Sequence, residues 1–434
     1  MTATAEQVTA PPLRRNVRFQ ALWIGMTTSS LGVSVADIAY PLAILAITGS
    51  PARAALFATV QLIGTLLAGL PGGSLADRYS LRAIVIVAEA CRFLVTTAVA
   101  VALVTGWLTL PLLLIAAALL GMGAGTCGTA RLLLLRSVVP DEQLTSAMAQ
   151  EQVRTNGAQL AGPALGGALY SVRALSHALP FLFTAASFLV ALATAAATRA
   201  LPAAGPAAGP GAPGTADAPD CQGSGAATAT AHPRQLDGGM LAGLRALCRH
   251  PLMRPAILVI VLVNTVGAGL DLVIIVLLRH QGVSSAQIGL VLGIAAAGGI
   301  AGIPLIRTLH RLRPGVVLLI PCLTFVPALL LLALPFGPWW VAAMVFTPGL
   351  GVPAALVALD IVVLRQAPAG QRGRIVGALT TVMMLGAPVG MMACGLLLQY
   401  LSARTSLLVL AAVLAAGLSY CATRRALWQA PWPS

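Results

Sequence analysis

The chain has 434 residues, 58% of them hydrophobic and only 9% charged, with a mean hydropathy of +0.91. Soluble domains carry roughly 25% charged residues because a folded surface has to meet water, so a soluble enzyme, a secreted disulfide scaffold and a disordered chain are excluded and a polytopic membrane protein remains. The 26 basic residues, all arginine, outnumber 12 acidic ones for a net +14, a balance explained by the face of the membrane on which the arginines lie and needing no nucleic acid.

Residues 1–18 are a polar tail ending in Arg14, Arg15 and Arg18. No small-residue cleavage site follows a short apolar stretch, so the tail reads as cytoplasmic and the first apolar run as a retained helix. A bilayer core of ~30 Å takes about 20 apolar residues in helix. Within residues 19–200, six stretches meet that need: Phe19–Ile47, Ala55–Leu75, Ala83–Val104, Leu108–Thr129, Leu144–Tyr170 and Pro180–Thr198. Residues 201–250, rich in Ala, Gly, Pro and Thr, read as a flexible cytoplasmic linker. Six more stretches occupy residues 251–422: Ala256–Leu278, Ile288–Ile306, Val316–Pro335, Trp339–Val363, Ile375–Leu401 and Leu407–Cys421. Residues 423–434 form a second cytoplasmic tail. The predicted fold class is an all-α membrane protein of twelve transmembrane helices in two six-helix halves.

Arginine placement orients these spans. With the N-terminus inside, twenty arginines fall in inner segments, among them Arg78, Arg82, Arg131, Arg136 and Arg311, against Arg53, Arg173, Arg279 and Arg404 outside. That bias predicts both termini on the cytoplasmic side of the cell membrane. The halves also echo each other. An offset of 233 residues carries Gly49, in Thr48-Gly49-Ser50-Pro51, onto Gly282, in Gln281-Gly282-Val283-Ser284, and Arg78 onto Arg311. A duplicated six-helix unit places a substrate site at the midplane between the halves.

Gly73-Ser74-Leu75-Ala76-Asp77-Arg78-Tyr79-Ser80-Leu81-Arg82 resembles the signature loop between the second and third helices of the major facilitator superfamily, with Ser80 where glycine is usual and Leu81 where a basic residue is usual. Gly73 permits close helix approach, Asp77 can face a neighbouring helix N-terminus, and Arg78 and Arg82 hold the inner face. Arg18-Phe19-Gln20-Ala21-Leu22-Trp23, Glu89-Ala90-Cys91-Arg92, Val139-Pro140-Asp141-Glu142-Gln143-Leu144 and Arg372-Gly373-Arg374 resemble the twelve-helix efflux group that contains macrolide exporters and the enterobactin exporter. In the fifth span, Gly157, Gly162, Pro163, Gly166 and Gly167 resemble the antiporter motif of family exporters, with one residue too many between Gly157 and Gly162. The resemblance implies export by alternating access. The residues alone are equally served by ordinary small-residue helix packing.

Ionisable groups at bilayer depth are costly unless paired or wetted, which makes each a functional candidate. Asp37 in the first span and Asp271 in the seventh are one residue from equivalence under the 233 offset, and both are expected to face the central cavity as proton carriers or anchors for a cationic substrate. Asp37 stands about one turn deeper than the acid of the efflux group. Glu89 and Arg92 share a face of the third span, as Glu151 and Arg154 share one of the fifth. The first pair is a coupling or binding candidate, the second a structural one. Asn156, Gln159 and Asn264 are cavity-lining candidates, and Met383 and Met384 suggest an apolar lining.

The seven cysteines and five histidines show no ligand spacing, and no phosphate loop or catalytic array is present, so no metal, no cofactor and no enzyme activity is expected. The expected partners are the lipid bilayer, a small-molecule substrate and protons, with no nucleic acid and no obligate protein partner. The proton gradient is the energy source. The expected function is a proton-coupled exporter of amphipathic or hydrophobic small molecules such as drugs or secondary metabolites. The alternatives are an importer of a small nutrient and a non-transporting membrane sensor or scaffold.

Overall fold

The computed structural model describes residues 17–139, 141–172, 174–198, 253–309, 314–366 and 372–423. The linker lies outside them, as do the tails apart from Val17, Arg18 and Thr423. Helix follows helix along the chain: α1 Val17–Thr48, α2 Pro51–Arg78, α3 Leu81–Thr105, α4 Leu110–Val138, α5 Asp141–Ser171 and α6 Leu179–Ala197 in the first half. The second half has α7 Met253–His280, α8 Ser285–Ala301, α9 Pro314–Leu332, α10 Pro338–Gly349, α11 Val352–Gln366, α12 Arg372–Tyr400 and α13 Ala403–Ala422. Among the described residues, nine helices are long and apolar enough to cross a membrane, one of them running through α10 into α11. α8 and α9 are apolar but shorter, and α5 is long but rich in polar side chains. The path is that of the twelve predicted spans, with the tenth broken where Pro348-Gly349-Leu350-Gly351 removes a backbone donor and adds flexible glycines.

Connections between helices are short and chemically specified. Gly49 and Gly282, the pair related by the 233 offset, both hold positive φ, +64° and +73°, which glycine adopts without steric cost. Ser284 then caps α8 in a reciprocal capping box with Gln287. Ser80, the departure from the family loop, caps α3 by accepting from the Ala83 N–H, so the hydroxyl provides a helix start where glycine would provide only freedom.

Packing repeats the sequence echo. α1 lies on α6 and α5, α2 on α4, and α3 on α4 and α6. In the second half α7 lies on α13 and α12, α8 on α10, and α9 on α13, α10 and α11, each contact the counterpart of one in the first half. The halves meet chiefly through α5 with α8 and α2 with α12.

Candidate functional site

Inter-half contacts gather at the end of the molecule where α1 finishes. Ser50 donates to Gln399 Oε1 at 2.6 Å, Arg279 to the Leu42 carbonyl at 3.2 Å, and Thr59 to the Pro388 carbonyl at 3.5 Å. At the same end α5 and α8 touch almost backbone to backbone. A Cβ on Gly167 would stand 2.9 Å from the Gly289 Cα, and one on Gly293 would stand 2.8 Å from the Leu160 carbonyl oxygen. The fifth-span motif therefore has a definite mechanical place. Gly162 and Gly166 pack on Ser34 and Val35 of α1, while Pro163 and Gly167 face Gly289 of α8. Gly157 has open space around it.

Toward the opposite end the halves part around a cavity of about 900 Å³. Its wall comes from the later parts of α2 and α4 and the earlier parts of α7 and α12, and it is mainly apolar, with Leu62, Met383 and Met384. Thr65, Thr129, Asn264 and Thr381 supply the polar groups. Such a volume suits a whole small molecule. Asn264 and the two methionines line this cavity, Asn264 donating to the Met383 carbonyl at 2.8 Å. Asn156 and Gln159 do not line this cavity. Asn156 accepts from Gln152 at 2.9 Å and Gln159 is exposed elsewhere on α5.

Asp37 and Asp271 are each an accessible acid in a buried stretch. Val35, Ala36, Ile38, Ala39 and Tyr40 are buried around the first, and Leu270, Leu272 and Val273 around the second. The two carboxyls lie within electrostatic range of each other. They stand on α1 and α7, one in each half.

Behind Asp37 lies a cluster that the sequence only partly discloses. Glu89 is 0% exposed. Its Oε1 accepts from Arg92 at 3.2 Å, from Cys127 at 3.2 Å, from Ser29 at 3.4 Å and from Arg131. Arg92 also lays its guanidinium 4.1 Å from the centre of the Phe188 ring, a cation–π contact, and Gly123 of α4 leaves room for its stem. Arg131 corrects the topological reading. The apolar run ends at Thr129, which suggests an inner-loop arginine, but α4 continues to Val138 and turns Arg131 inward to the buried carboxylate. Its signal was available in Glu89 itself, since a single arginine three residues away leaves a buried acid with lone pairs to fill.

The second predicted pair is structural. Arg154 binds both carboxylate oxygens of Glu151 and reaches the Met26 carbonyl and the Ser30 hydroxyl, tying α5 to α1. Of the signature loop, Arg82 donates at 3.0 Å to the Ala195 carbonyl and also to that of Ala196. It thereby satisfies carbonyls at the end of α6, where positive charge is favourable. Arg78 is exposed at the last turn of α2. Gly73 and Asp77 fall on α2, and their side-chain surroundings lie outside the described residues. Among the described residues no group of His, Cys, Asp and Glu could hold a metal ion.

A sequence model of the Major Facilitator Superfamily matches residues 22–391. A comparison with curated proteins finds no match. Among solved structures, the chain resembles a bacterial homolog to the human lysosomal transporter Spinster, in an inward-facing and unoccupied conformation. The identity is 17% and the TM-score 0.70, covering 98% of this chain and 99% of that one. It also resembles the nucleoside transporter NupG, with 13% identity, a TM-score of 0.69, and 94% and 99% covered. The inward open xylose transporter XylE from E. coli matches with 12% identity, a TM-score of 0.63, and 93% and 95% covered. At these identities the likeness concerns the fold.

Proposed function

This chain belongs to the major facilitator superfamily and is a multi-pass membrane transporter, not an enzyme; on that premise we propose that it exports amphipathic or hydrophobic small molecules, such as drugs or secondary metabolites, in exchange for protons. The observation that carries the reading is the 900 Å³ cavity, apolar over most of its wall, with a few hydroxyl and amide groups to orient a guest. Asp37 and Asp271, one in each half, are accessible acids within electrostatic range of each other. A lipophilic body fits the wall, and an acid that takes up a proton in one orientation and releases it in the other couples the guest's passage to the proton gradient.

The halves are joined at one end and parted at the other, which suits alternating access about the α5–α8 and α2–α12 seams. With the arginine-rich ends of the helices on the cytoplasmic side of the cell membrane, the parted end opens inward, where an exporter loads. No cofactor and no obligate protein partner enters this reading. The same fold also serves proteins named as a nucleoside transporter and a D-xylose–proton symporter, so direction has to be measured.

The test is proton movement by the purified protein in liposomes, challenged with lipophilic cations and macrolides, wild type beside Asp37→Asn. Substrate-driven proton movement that the variant loses is the expected outcome. Full proton-coupled transport by Asp37→Asn would remove Asp37 as carrier, and substrate flux without proton movement would replace antiport by uniport or another ion.

A further inference from the structure

Between α1, α3 and α6 lies a pocket of about 10 Å³ beside Asp37 and Arg92. By the same measure one water molecule needs roughly 10–15 Å³ and two to four polar partners. The partners are there. Tyr40, Arg92 and Thr96, exposed by 3%, 5% and 0%, all line the pocket. The Arg92 Nε–H has no hydrogen-bond partner among the described residues, and the Tyr40 and Thr96 hydroxyls, near enough to pair with each other, have no other. Buried polar groups are nearly always satisfied by protein or ordered water, so three residues with unsatisfied polar atoms lining one water-sized space mark a polar site. Ring contacts hold Tyr40 in place, with Phe57 stacked at 4.4 Å and Phe181 edge-on at 4.9 Å. The hydroxyl position is thus fixed by packing.

We propose that this pocket binds one water molecule, which accepts from the Arg92 Nε–H and bonds the Tyr40 and Thr96 hydroxyls, and that through it Arg92 registers the charge on Asp37. The charged groups around Asp37 define the arithmetic. Arg92 faces it from α3 and Asp271 from α7. Glu89 and Arg131 stand behind Arg92, and the Glu151–Arg154 pair meets α1 nearer its start, at Met26 and Ser30. α2 and α6 present only the neutral Gln61, Thr184 and Phe188 to the pocket. The carboxyls of Asp37, Asp271 and Glu89 stand against Arg92 and Arg131. A proton arriving on an Asp37 carboxylate oxygen leaves a neutral carboxyl and removes one negative charge from beside Arg92. Arg92 keeps its own protons and draws more firmly on Glu89, and the water held between its Nε–H and the two hydroxyls reorients with it. Protonation on α1 is thereby transmitted to α3 and α4 without any ion crossing the cluster.

The consequence for transport rests on Asp37 as proton carrier, but the water site does not, and the test separates them. The full-length protein in lipid is examined by infrared difference spectroscopy on acidification, with no substrate. The expected result is a carboxyl band that Asp37→Asn abolishes, accompanied by a water O–H stretching band that moves to lower frequency in heavy-oxygen water. Thr96→Val keeps the side-chain shape and removes a partner; it is expected to lose the water band and shift the carboxyl band. Tyr40→Phe provides the same readout should Thr96→Val fail to fold. A carboxyl band with no isotope-sensitive water band, or a water band unchanged in both variants, overturns the proposal. An intact water band in a protein that moves substrate without protons would overturn the antiport reading and leave the water site standing.

Discussion

Glu89 serves two guanidiniums at once, and its removal should be far more damaging than the loss of an ordinary ion pair. Breaking a buried pair leaves an uncompensated charge and costs about 3–5 kcal/mol, whereas exposed pairs contribute about 0–1 kcal/mol. Glu89→Gln is therefore expected to destabilise the protein by about 3–5 kcal/mol, read as a lowered thermal midpoint in detergent. A change within experimental error would mean that Arg92 or Arg131 has another counter-charge. The residues that matter here were unevenly legible. Asp37, Asp271, Glu89 and Arg92 stand out in sequence because a charge within an apolar run demands an explanation. Tyr40 and Thr96 give no such signal, since hydroxyls are common in membrane helices and only their convergence in space makes them notable. Arg131 was hidden by a helix that outlasts its apolar stretch.

At the scale of helices, short seams and caps carry the specificity. Ser80 begins α3 with a side-chain cap, so Ser80→Ala should cost about 1 kcal/mol and Ser80→Gly only a few tenths, measured by thermal unfolding. Equal losses for the two would show that the hydroxyl is not the source. The α5–α8 seam depends on the near absence of side chains at Gly167 and Gly289. A larger residue at either position wedges the closed end. Gly289→Val should populate a state in which Thr59, 7% exposed between α2 and α12, becomes reachable. Maleimide labelling of Thr59→Cys from water, above the wild-type background, is expected to rise several-fold with the wedge present, and unchanged labelling would place the hinge elsewhere. The glycines of this seam were visible in sequence; their partners were not. Small-residue spacing tells that a helix can be approached closely, but not by which neighbour, and α5 proves to be approached by α1 and α8 together.

For the molecule as a whole, apolar runs and the 233-residue echo foretold the fold, because a bilayer leaves the backbone few alternatives to helix and a duplicated unit packs in duplicate. The echo ends at function. The pocket beside Asp37 is polar, whereas the matching space in the second half, about 160 Å³ between α7, α8, α9 and α10, is walled by Leu270, Phe325 and Leu329, with Phe325 and Leu329 at the positions that Arg92 and Thr96 reach under the same offset. Among the described residues, the polar groups around the first-half acid have apolar residues at their second-half counterparts. The one-sided gap has an electrical consequence. Water filling the 900 Å³ cavity conducts, so in a polarised membrane the potential of that side extends up to the foot of the closed seam and the voltage falls mostly across the sealed end. A full membrane traverse at 100 mV is worth about 2.3 kcal/mol per elementary charge. On the proposed reading of Asp37 as proton carrier, a proton reaching it from the open side crosses little of that field, and the same proton crosses most of it when the halves rock and the seal changes ends.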